Sequence, residues 1–100
     1  MTLDSFWDGF FTNAYAVYCQ RQKEHDQFME AVVERNPSLR SICHVYSIRY
    51  PFLYWAGDHV CGWTGTGAYA YAQEKMTFAE WEALQDAEES LQAADLREVI

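Results

Sequence analysis

No apolar run in this sequence approaches the ~18 residues that a bilayer-spanning helix needs. Cysteine is scarce: Cys19, Cys43 and Cys61 make an odd number, with no CxxC pair. A secreted disulfide framework uses an even count at tighter spacing. The opening MTLDSFWDGFF has no basic stretch and carries two acids, unlike a signal peptide. The expectation is a cytoplasmic protein with reduced thiols. Positive charge is scarce too. Seven Lys and Arg stand against fifteen Asp and Glu, for a formal net charge of −8. Direct nucleic-acid binding needs a basic footprint, which this composition lacks. Internal repeats, low-complexity segments and linkers are also absent.

What the chain does have is rings. Half of its 100 residues are hydrophobic and 17% are aromatic. Each large ring buries roughly 150–250 Å², which offsets the small size of a chain this long. The expectation is one folded domain over residues 1–100.

Residues 5–35 have helical periodicity. Phe6, Trp7, Phe10, Phe11, Ala14, Val17 and Tyr18 recur at helical spacing, and Phe28, Met29 and Val32 resume it on the same face. Ser5 with Asp8 resembles a capping box, and Asn36-Pro37 supplies a stop. One helix over this span would be about 46 Å long, against a radius of gyration of ~13 Å for a globule this size. A break near Glu24–Asp26, with Asp26 capping a second helix, is therefore favoured over a projecting helix.

Residues 38–50 fit two patterns. Ile42, His44, Tyr46, Ile48 and Tyr50 alternate as a strand does. Leu39, Ile42, Cys43, Tyr46 and Tyr50 fit a helix that starts at Asn36-Pro37. β-branched and aromatic content favours the strand. Next, Gly57-Asp58 within 50-YPFLYWAGDHVCGW-63 is a hairpin signal. It sets Ala56 opposite His59, Trp55 opposite Val60 and Tyr54 opposite Cys61. Thr64–Gly67 reads as a second turn, and AYAYA after it alternates. Three or four antiparallel strands over 41–73, with one ring-rich face, are predicted. Thr77 and Glu80 then form a capping box ahead of a helix over 77–97. Phe78, Trp81, Leu84, Ala87 and Leu91 form its apolar stripe.

The predicted fold class is α+β. An N-terminal helix or helix pair and an acidic C-terminal helix pack on a small antiparallel sheet. The alternative is all-α, with 37–50 helical.

Candidate chemistry is thin. His59 and Cys61 lie two apart and share a strand face, but Cys43 and His44 are adjacent and point opposite ways. The spacings of structural zinc sites are missing, so no metal and no cofactor is expected. Cys61 with His59 or His44 lacks the basic surroundings of a nucleophilic pair, so no catalytic residue is assigned and no enzyme is expected. Gly65–Ala70 matches a relaxed dinucleotide fingerprint, which turn glycines explain better.

The charge is unevenly placed. Residues 1–40 carry −2, residues 41–73 carry zero and residues 74–100 carry −6. Glu82, Asp86, Glu89 and Asp95 on the C-terminal helix are the expected partner-binding residues. Carboxylates on a rigid helix suit a basic groove that otherwise holds phosphates. A homodimer through an aromatic interface at Trp7 and Phe11 is the alternative, in a structural or assembly protein.

A short, aromatic-rich, strongly acidic chain with a helix such as TFAEWEALQDAEESLQAADLREV resembles the small inhibitor proteins of phages and mobile elements, anti-CRISPR proteins among them. The resemblance is one of class and carries over no individual residue. It implies a non-enzymatic inhibitor or interaction module in the host cytoplasm. Its partner would be a basic protein or nucleoprotein complex such as a CRISPR effector, without direct contact to nucleic acid or membrane.

Overall fold

The computed structural model describes residues 1–39, 44–66 and 72–98, with side chains as far as Leu91. In chain order the elements are α1 (Leu3–Phe10), β1 (Tyr15–Tyr18), α2 (Gln22–Arg35), a 3₁₀ turn (Pro37–Leu39), β2 (Phe52–Trp55), β3 (Val60–Trp63), β4 (Glu74–Thr77) and α3 (Phe78–Glu98). The fold is α+β, as expected. The sheet is mixed rather than antiparallel. Its order is β3-β2-β1-β4, with β1 antiparallel to β2 and parallel to β4. Among the described residues, no helix is long and apolar enough to cross a membrane.

The first helix starts one turn earlier than expected. Thr2 is the cap: its Oγ1 accepts from the Ser5 backbone N–H at 3.1 Å, and Ser5 Oγ accepts from the Thr2 N–H at 3.0 Å. The helix also ends much earlier than the periodicity implies. Asn13 takes a left-handed φ of 66°, which Asn tolerates better than most residues. The chain turns back, and a Cβ built on Gly9 would lie only 2.3 Å from the Tyr15 ring. Glycine at position 9 therefore lets Tyr15 fold over the helix. Tyr-Ala-Val-Tyr, aromatic and β-branched, then becomes β1. The break lies at residues 11–21, not at Glu24–Asp26. Arg21 precedes α2 without a side-chain cap.

The hairpin has the expected register, with Trp55 opposite Val60 and Tyr54 opposite Cys61. Ala56 N–H donates to the His59 carbonyl at 2.8 Å, and Gly57 takes a φ of 100° in the turn. The strand expected over 41–50 does not form in its described part: residues 44–50 are irregular and end in a turn. Ile42 and Cys43 lie outside the described residues, as do the AYAYA positions 68–71. The edge strand β4 has no sequence counterpart. Only Met76 of Glu-Lys-Met-Thr is buried, so there was no alternation to read, and such charge is common on exposed edges.

All three helices cover one face of the sheet. Phe6, Trp7 and Phe10 of α1 meet Phe28 and Val32 of α2, Phe78 and Trp81 of α3, and Val17, Leu53, Trp55, Val60 and Met76 from the strands. Trp7 stacks on Phe28 at 5.6 Å, and Trp81 meets Phe28 edge-on at 5.2 Å. Such ring pairs add about 0.5–1.5 kcal/mol each beyond area burial. On the opposite face, Ala16, Trp63 and Ala72 form a second small cluster. The Thr77–Glu80 capping box is present: Thr77 Oγ1 accepts from the Glu80 N–H at 3.1 Å. The apolar stripe of α3 is shorter than expected. Phe78 and Trp81 are buried and Leu84 is half-buried, but Ala87 is exposed and Leu91 is 63% exposed. The molecule measures 53 × 27 × 24 Å.

Candidate functional site

Carboxylates from two helices meet on one side of the molecule. Glu82, Asp86 and Glu89 are exposed on α3, and spacings of four and three put them on one helix face. Glu30 and Glu34 of α2 stand across from them. These five acids border a groove of ≈ 340 Å³ whose floor includes Ala31, Phe78 and Trp81. A second groove of ≈ 410 Å³ adjoins it. There Asp4 of α1 and Glu34 of α2 face Glu88 and Glu89 of α3. Among the described residues, the one cation lining either groove is Arg35, and its guanidinium is held by Asp4 at 2.8 Å. Negative charge gathered over apolar walls focuses a field that attracts cations.

Three of the four acids expected from sequence, Glu82, Asp86 and Glu89, border the same groove. Asp95 lies on α3 beyond the described side chains. Sequence reading missed Glu30 and Glu34, which look like an ordinary solvated i, i+4 pair until α2 packs beside α3. The aromatic pair divides. Trp7 is 3% exposed and lies inside the core, so it has almost no area to offer a second copy. Phe11 is partly buried, stacked on Trp7 at 5.8 Å and edge-on to Trp55 at 4.8 Å.

Among the described residues, the three histidines and Cys61 sort into two groups on opposite sides of the sheet. On the helix side His25 is buried at 3% exposure. Its Nδ1–H donates to Asp26 Oδ1 at 2.8 Å, and its Nε2 accepts from His44 Nδ1–H at 2.9 Å. The carboxylate fixes these tautomers, since Asp26 only accepts. Burial, then the nearby His25 and His59, holds His44 below the ordinary imidazole value of 6.5. Its Nε2 lies 3.6 Å from where a Gly62 Cβ would stand, so it meets the face of β3 turned away from Cys61.

On the other face, His59 and Cys61 do pair. Cys61 Sγ lies 3.0 Å from His59 Nε2, and His59 Nδ1–H donates to the Asp58 carboxylate. Cys19, by contrast, is fully buried, and burial with help from Glu24 pushes its thiol up to about 12. Cys43 lies outside the described residues. Among the described residues, no three His, Cys, Asp or Glu are arranged to hold a metal ion. The glycine motif at 65–70 runs outside the described residues after Thr66, and the next element is the strand β4.

Compared with protein-family models, curated proteins and solved structures, the chain matches none of them.

Proposed function

We propose that this protein is a non-enzymatic interaction module that docks its α2–α3 carboxylate groove on a basic, nucleic-acid-binding partner. One observation carries the reading: five acids from two separate helices, Glu30, Glu34, Glu82, Asp86 and Glu89, border a single groove. A merely solvated helix spreads its charges outward, as most acidic faces do. Here two elements turn the same sign towards one cleft, at the cost of mutual repulsion. A cationic side chain entering the groove relieves that repulsion and gains several carboxylate contacts at once. An inhibitor of the anti-CRISPR kind is the form this reading takes, with the acids standing where phosphates would lie.

The test is a paired capture experiment. Wild-type protein and the double variant Asp86→Lys/Glu89→Lys are immobilised and exposed to lysate of the source cell or its host. Both side chains are exposed, so the variant keeps its fold and melting temperature. The expected result is a basic, nucleic-acid-binding protein held by wild type and bound at least about tenfold more weakly by the variant. Equal capture by both proteins overturns the assignment of this groove.

A further inference from the structure

We infer that Cys61, His59 and Asp58 form a reactive-thiol site that takes up small disulfides, independent of the acidic groove. The three groups are in series. Asp58 accepts from His59 Nδ1–H, which leaves the Nε2 lone pair facing Cys61 Sγ at 3.0 Å. That is a nucleophile, a base and a group that orients the base. Cys61 itself is half-buried, and its two partners are open to solvent: the His59 side chain is 45% exposed and that of Asp58 is 85% exposed. It also sits on β3, an edge strand, beside the turn that joins β3 to β2.

In the sequence, Arg49 is the one Lys or Arg over residues 41–73 around the thiol. The hairpin supplies something different. Residues 59 and 61 flank one pleat, so both side chains rise on the same face. The turn then brings Asp58 against the outer nitrogen of the ring. Cys19 provides an internal contrast, because it is fully buried and has a raised pKa.

Disulfide exchange suits this cluster better than acyl transfer. Acyl transfer needs further donors for an oxyanion. Exchange needs an accessible sulfur, a proton acceptor and a disulfide. In the step, Cys61 Sγ attacks one sulfur of a low-molecular-weight disulfide while His59 Nε2 takes the thiol proton. A bond from Sγ to that sulfur forms and the old S–S bond breaks. The leaving thiolate recovers the proton from His59 and departs as a thiol. Cys61 is oxidised, the departing sulfur is reduced, and the product is a mixed disulfide. The event is stoichiometric, one adduct per chain.

The experiment uses the chromogenic disulfide dithiodipyridine on the folded, reduced protein, with peptide mass mapping to assign each adduct. Cys61 is expected to react at least about tenfold faster than Cys19. His59→Gln should slow Cys61 about tenfold near neutral pH. It should also change the pH profile of the Cys61 reaction, because the thiol then has no imidazole beside it to take its proton. Asp58→Asn should give a smaller loss in the same direction. Circular dichroism of each variant checks that the hairpin still folds. The proposal is overturned if Cys61 reacts no faster than Cys19, or if His59→Gln leaves both its rate and its pH profile unchanged.

Discussion

Gly9 has a sign that can be tested. Inside a helix, Gly→Ala ordinarily stabilises by up to ~1 kcal/mol. Here a Cβ would meet the Tyr15 ring at 2.3 and 2.8 Å and the Ala14 Cβ at 3.3 Å. The ring cannot simply swing aside, because it stacks on Phe6 at 5.7 Å. Gly9→Ala is therefore expected to destabilise by ~1–3 kcal/mol, the usual cost of overpacking, as read by urea denaturation. A stabilised variant would contradict the packing of β1 over α1. His44 makes a second prediction at this scale. Its folded pKa lies below the ordinary 6.5, chiefly through burial. Between that lower value and 6.5 the unfolded chain binds the proton more readily, so stability falls as pH drops through this window and is regained as pH rises. Melting curves from neutral to mildly acidic pH should show the loss, and His44→Gln should flatten that part of the profile.

The secondary elements were legible where one signal stood alone. Gly57-Asp58 set the β2–β3 register because a two-residue turn leaves one pairing. Thr77 and Glu80 set the start of α3. Where two signals competed, the sequence misled. Ala14, Val17 and Tyr18 continue the helical period of Phe6 and Phe10, yet they form β1, because Asn13 reverses the chain and Val17 then pairs with Leu53 and Met76. That pairing spans dozens of residues and leaves no local trace. β4 was invisible for a related reason, since an edge strand buries one side chain in four. The same problem hid Glu30 and Glu34, whose place on the groove depends on which helix lies beside them. The apolar stripe of α3 shows how far the core reaches. Trp81→Ala is expected to cost ~3–5 kcal/mol, whereas Leu91→Ala, at 63% exposure, should stay within about 0.5 kcal/mol. Denaturation midpoints of the two variants check this, and equal losses would mean that the core extends along α3.

At the scale of the molecule, charge is the main asymmetry. The last 27 residues hold −6 of the net −8, and α2 adds its own acids to the same side. Stability depends on the aromatic core beneath, so reversing surface acids is expected to leave folding almost unchanged. A contact built from exposed carboxylates also weakens as salt rises, because the Debye length is only about 8 Å at physiological ionic strength and shrinks further above it. Capture of the partner should fall steeply between low and high salt, whereas an apolar contact would persist. The most direct test of the account is competition. The captured partner is loaded with its own nucleic acid, and the released fraction is measured as this protein is titrated in. Nucleic acid is expected to leave in proportion to the protein bound, and Asp86→Lys/Glu89→Lys to displace far less. A partner that holds nucleic acid and this protein together would contradict it.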